Sequence, residues 1–156
     1  MKRGYGVLLM GVWLMAGVSA ISPEARATLG EPAESISVDS RALSAARQGV
    51  TTRNRYTVEE VVSDANVVRE YLTPSGIVFA IAWNGLSHPD LTPLLGSYAA
   101  EYRQALRQTP RIPGRRHFRV RADRVVVEKW GHMRNLQGRA YDPALIPPGV
   151  SVDEIK

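Results

Sequence analysis

The chain has 156 residues, a formal net charge of +5 and no cysteine. That length fits one domain with a real hydrophobic core. The missing thiols exclude disulfide staples, thiolate metal sites, thiol nucleophiles and redox motifs, and the charge is too mild for a protein that wraps nucleic acid.

The chain opens with an export signature. Lys2 and Arg3 form a basic start, Val7 to Val18 is an uncharged apolar run, and Ala25-Arg26-Ala27 offers a small-x-small cleavage site before Thr28. Residues 1–27 are therefore expected to be a signal peptide, and the product to be periplasmic or secreted. The run falls short of the roughly 20 residues that span a bilayer. Cleavage after Ala20, behind Val18-Ser19, is the alternative cut, and an uncleaved membrane anchor is the alternative fate. No second spanning run follows, so no transmembrane segment is expected after cleavage. Without cysteine, lipid attachment at a new N-terminal cysteine is excluded.

Residues 28–55 are rich in Ser, Ala, Glu and Thr and predict a weakly structured arm, with at most a short helix over Asp39 to Gln48. The core is expected from Tyr56. Tyr56 to Val62, Val67 to Thr73 and Ile77 to Trp83 predict three strands, separated by Ser63-Asp64-Ala65-Asn66 and Pro74-Ser75-Gly76 turns. The third strand is apolar on both sides, which predicts a central position. Strict alternation would put Ile77, Phe79, Ile81 and Trp83 on one face.

Leu91, Leu94, Leu95, Tyr98, Tyr102 and Leu106 follow a helical period, so a helix is expected to about Gln108 and to cover that large-residue face. Asp90 and Thr92 compete for its cap. Gly96, inside the helix, predicts a close approach to the sheet. His117 to Ala122, Val125 to Trp130 and His132 to Tyr141 predict three more strands, with Gly131 as a break. The proline-rich 142–150 segment is expected to run over the surface, pinned by Leu145 and Ile146, and 151–156 to be a tail. The pattern β-β-β-α-β-β-β predicts an α+β domain over 56–150, with an antiparallel sheet of five to six strands curled against one main helix.

Val68-Arg69-Glu70-Tyr71 with Pro74-Ser75-Gly76-Ile77-Val78-Phe79-Ala80-Ile81-Ala82-Trp83 resembles an exported proteobacterial family of uncharacterised proteins, the domain of unknown function 2844. Pro89-Asp90-Leu91, Leu94-Leu95-Gly96-Ser97-Tyr98, Gly131-His132-Met133-Arg134, Gly138-Arg139-Ala140-Tyr141 and Pro147-Pro148-Gly149-Val150 fit the same family, as does Thr28-Leu29-Gly30. The resemblance covers nearly all of the expected mature chain, apart from Pro32 to Arg55. It implies location and domain extent, and it carries no chemistry and no functional residue.

No residue spacing spells a catalytic motif. His88, His117 and His132 form neither H-x-x-x-H nor H-E-x-x-H. His88, Asp90 and His132 would bind a metal or run acid–base chemistry only if the fold brought them together. Otherwise Asp90 is a helix cap and the histidines are strand-end hydrogen-bond partners. Ser75 and Ser97 lie outside any nucleophile elbow. Glu59 and Glu60 are adjacent on a strand and must point apart, whereas Glu70 and Glu128 suit cross-strand arginine partners.

The densest binding signal is basic: Arg111, Arg115, Arg116, Arg119, Arg121 and Arg124 cluster, and His117, Arg119 and Arg121 share one strand face. Such a stripe suits an anionic ligand, or it is a solvated face that blunts a sheet edge. Trp83, Trp130 and Tyr141 are candidate sugar-binding aromatics. Trp83 is expected in the core, and Trp130 is the open one.

The expected function is a non-enzymatic envelope accessory protein that recognises an anionic ligand or a protein partner, through Arg115, Arg116, His117, Arg119, Arg121 and Trp130. No cofactor and no nucleic acid are expected. The alternatives are a small hydrolase or metal-dependent enzyme built on His88, Asp90 and His132, and a structural subunit of an envelope assembly.

Overall fold

A computed structural model gives the fold and describes residues 28–32, 46–110, 112–114 and 116–156. The expected signal peptide, the 33–45 part of the expected arm, Arg111 and Arg115 lie outside the described residues. Seven strands are present: β1 (Ala46–Thr52), β2 (Thr57–Val62), β3 (Asn66–Leu72), β4 (Val78–Gly85), β5 (His117–Arg121), β6 (Val126–His132) and β7 (Asn135–Tyr141). They form one antiparallel sheet in the order β1-β2-β3-β4-β7-β6-β5. Between β4 and β5 lie α1 (Leu91–Leu95), a 3₁₀ turn at Gly96–Tyr98 and α2 (Ala99–Gln108). The fold is α+β. Among the described residues no helix is long and apolar enough to cross a membrane.

The sheet has one strand more than the hydrophobic pattern predicts. The extra strand, β1, falls in the segment expected to be a loose arm, and the end of the expected short helix, Ala46 to Gln48, is extended instead. β1 pairs with β2 through a backbone ladder, and Val50 points to solvent. Edge pairing of this kind leaves no apolar periodicity to read.

β4 is central, as its two-sided apolar character predicts, but strict alternation fails at its start. Leu72 pairs with Val78 and Tyr71 with Ala80, so Phe79 is the extra residue of a β-bulge. The bulge inverts the face of everything before it. Val78, Ile81 and Trp83 pack under the helices with Val68, Leu94, Leu95 and Tyr98, whereas Phe79 joins Tyr56, Tyr71, Val126 and Tyr141 on the opposite face.

The helical stretch is broken rather than continuous. Asp90, not Thr92, is the cap, and its carboxylate accepts from the Thr92 N–H at 2.9 Å. Gly96 ends α1 with φ 45°, and a side chain there would run into Thr28. The close approach that Gly96 permits is therefore to the segment at 28–32, not to the sheet. That segment docks fully: Leu29 is buried, its N–H donates to the Leu94 carbonyl at 3.1 Å, and the Gly30 N–H donates to Val78 at 2.7 Å.

Gly131 does not end β6, which continues to His132, and a Met133-Arg134 turn leads into β7. Leu145 and Ile146 do pin the following loop. Beyond Val150 the chain does not trail off. Ser151 and Glu154 form a reciprocal capping box around a 3₁₀ turn at Val152–Glu154, and Ile155 is buried in the core on the face turned away from α1 and α2, which among the described residues is free of α-helix: the helix-free face.

Candidate functional site

Register defines what the helix-free face of the sheet presents, because residues opposite one another on neighbouring strands share a face. One row runs Glu60, Arg69, Ala82, Arg139, Glu128, Arg119. The next runs Val67, Asn84, Gln137, Trp130, His117. A third holds Tyr71, Ala80, Tyr141, Val126 and Arg121.

The third row is covered by the end of the chain. The Tyr71 hydroxyl donates to the Lys156 carbonyl and accepts from the Lys156 N–H, both at 2.9 Å. The Tyr56 hydroxyl donates to Glu154 at 3.1 Å. The rest of the face stays open as a groove of about 850 Å³. Its walls carry Arg69, Asn84, Gln137, Asn135 and Trp130, and Asp153, Glu154 and Lys156 line it as well.

Trp130 is the organising side chain. His117 stacks on it with ring centroids 6.3 Å apart and planes at 24°. The Arg139 guanidinium lies 5.5 Å from its centroid. Its Nε1–H donates to Gln137 Oε1 at 3.1 Å, and Gln137 Nε2 donates to Asn135 at 3.0 Å. The half-buried indole is thus held in one orientation from several directions.

The basic stripe lies where alternation predicts. His117, Arg119 and Arg121 project from β5 on the helix-free face, while Phe118 and Val120 turn toward the helices. Arg119 is partly neutralised by Glu128 at 3.3 Å. Exposed Arg116 and Arg121 carry no ion pair among the described residues. Arg124 belongs elsewhere: it pairs with Glu101 at 3.1 Å and stacks 4.5 Å over Tyr98. Burial opposes ionisation of Glu101, but the Arg124 backbone N–H and guanidinium hold its carboxyl below the usual range.

The second candidate cluster does not converge. His88 Nδ1 accepts from the Trp83 Nε1–H at 3.0 Å, within the helix-side core. Burial, with Lys129 adding repulsion, pushes the His88 imidazole below its ordinary pKa. Asp90 is engaged as a helix cap. His132 is exposed, and its register partner is Asn135, on the other face of the sheet. Among the described residues no three His, Asp or Glu side chains are grouped to hold a metal ion. Trp83 is core, as expected, and Glu59 and Glu60 point to opposite faces, with Glu70 buried directly across from Glu59.

Sequence reasoning missed Arg69, Asn84, Gln137 and Arg139 as site residues. Only strand order brings them into one groove with Trp130 or next to its ring, and strand order follows from long-range pairing rather than local pattern. The face presents a fixed aromatic plane, amides and guanidinium groups.

No curated protein and no solved structure matches this chain. A family model described as a protein of unknown function (DUF2844) matches residues 25–155, which takes in every strand and both helices. The chain belongs to the DUF2844 family.

Proposed function

We propose that this protein is exported and acts as a non-enzymatic envelope binding protein, holding an anionic ligand or acidic partner against the β5–β6 end of the helix-free face. One observation carries the reading: His117, Arg119 and Arg121 stand on one face of an edge strand, beside a Trp130 ring locked in place. Cations next to a rigid, half-buried aromatic suit a ligand that combines negative charge with a flat or apolar surface. Export is supported by Lys2, Arg3, the Val7 to Val18 run and Ala25-Arg26-Ala27. The family match starts at residue 25, just ahead of the expected cut.

The test is binding at low and high salt to lipopolysaccharide, an acidic polysaccharide and polyglutamate, each followed by thermal shift. A ligand at about 100 times its Kd stabilises the folded state by about 2.7 kcal/mol. Arg116→Glu and Arg121→Glu should abolish the shift, and salt should weaken it. If none of the three polyanions shifts the melt at any salt, the reading fails. The second reading, a structural subunit of an envelope assembly, is favoured by the position of β5 at the end of the sheet.

A further inference from the structure

The outer edge of β5 is a docking site in waiting. β5 terminates the sheet, and among the described residues its only backbone ladder is to β6. An unpaired edge presents a row of N–H and C=O groups to any extended chain. Beside it, on the helix side, lies a cavity of about 570 Å³ between α2 and β5. Its lining is mixed: Tyr102, Leu106, Ile112 and Phe118 supply apolar surface, Lys129 a cation, and His117 and Arg119 border it from β5, with Ile112 about half exposed at 51%. On the other face of the same strand stand His117, Arg119 and Arg121.

Resting on the binding role proposed above, we infer that β5 accepts an extended peptide as an added strand, and that this peptide alternates acidic and apolar residues. The pattern is dictated by pleat. Peptide residues opposite His117, Arg119 and Arg121 must share their face and meet an imidazole and two guanidinium cations. Those opposite Phe118 and Val120 must turn to the helix side, where the cavity offers the apolar surface of Tyr102, Leu106, Ile112 and Phe118. Main-chain bonds supply affinity and the alternating side chains supply specificity.

Charge selects against the other occupants. A second copy of this chain, paired antiparallel about Arg119, would set Arg119 directly against Arg119. Like charges directly opposite are destabilising, so the stripe blocks self-pairing while it attracts an acidic strand. A glycan would use the cations but neither the backbone edge nor the apolar side chains of the cavity.

The probe is a blocked Glu-Val-Glu-Val-Glu peptide, matched to the five residues of β5, tested against the full chain. Two controls accompany it: a scrambled peptide of the same composition and a copy with methylated backbone nitrogens. The alternating peptide should bind at least about tenfold more tightly than either control, which corresponds to about 1.4 kcal/mol. Hydrogen exchange should slow at the outward amides within His117–Arg121. Arg121→Glu and Ile112→Asp should each weaken binding without lowering the melting temperature, because both side chains are exposed. Equal binding of the methylated copy, or unchanged exchange in β5, overturns strand addition and leaves the anion-binding role standing. Failure of the peptide alongside a shift with a polyanionic glycan does the same. Failure of every anion overturns both.

Discussion

Arg139 and Glu128 meet at 2.6 Å across β7 and β6, on the face of the sheet turned away from α1 and α2. The other carboxylate oxygen of Glu128 reaches Arg119 at 3.3 Å. Arg139 also donates to the Val152 carbonyl at 2.6 Å and stacks between Trp130 and Tyr141. One guanidinium therefore ties together the basic edge strand, the aromatic platform and the end of the chain. A planar fork with several fixed donors suits this role, and an ammonium does not.

Arg139→Ala should destabilise the fold by about 3 kcal/mol, since it leaves a buried carboxylate with one partner at a longer distance. Arg139→Lys should recover only part of that loss, because Lys keeps the charge but not the geometry. Urea melts of the two variants check both statements. A loss below about 0.5 kcal/mol for the alanine variant would show that Arg119 alone satisfies Glu128.

Tyr98→Phe should cost about 1–3 kcal/mol. The Tyr98 hydroxyl donates to buried Asp142 at 2.8 Å, and its removal leaves that carboxylate oxygen without its donor. Burial, with the Asp142 hydrogen bond, pushes the Tyr98 phenol up to about 12. The phenol thus stays protonated as a donor throughout the ordinary pH range, and the difference between the two proteins should not vary between pH 6 and pH 9. Denaturant melts across that range measure it.

Gly138→Ala should cost about 1–3 kcal/mol by overpacking. A methyl group at 138 would collide with the Trp83 ring and the Glu128 carbonyl. The Trp83 ring lies over Gly138 from the neighbouring strand, where their backbones pair. The indole fluorescence of the variant should shift as Trp83 is displaced.

His88 should make the fold sensitive to mild acid. Its Nδ1 is an acceptor, so the neutral ring carries its proton on Nε2. Burial, with Lys129 secondary, lowers the folded pKa below that of the unfolded chain, near 6.5. The unfolded chain then binds more protons than the folded one between the two values. The stabilisation is complete above about pH 6.5 and is lost as pH falls through the folded pKa. Melting temperatures of the parent and of His88→Gln, taken from pH 7.5 to pH 5, should converge or cross on the acid side. Parallel curves would assign the acid response to other groups.

Much of the fold was legible because its strands and helices have amphipathic or wholly apolar faces that leave a period. β4 reads as central from its composition, and His117, Arg119 and Arg121 read as one face from simple alternation. The failures have physical causes. The bulge at Phe79 adds one residue, and no local pattern distinguishes it from a continuous strand. β1 is held by backbone bonds, which composition does not encode. Gly96 is tuned to Thr28, far away in the chain. The site was half legible for the same reason. Its β5 stripe is local, whereas Arg139, Gln137 and Asn84 reach Trp130 only through the order of β4, β7 and β6.

Leu29 and Ile155 enter opposite sides of the sheet, and each is fastened at its middle. Gly30 and Glu31 bond to Val78 at the start of β4, and Lys156 bonds to Tyr71 in β3. Tension on the chain from its two sides is therefore delivered to two adjacent inner strands, while β1 and β5 at the edges bear none of it directly. The edge strand that carries His117, Arg119 and Arg121 is reached from the 152–156 segment only at second hand, through Glu128 and Arg139.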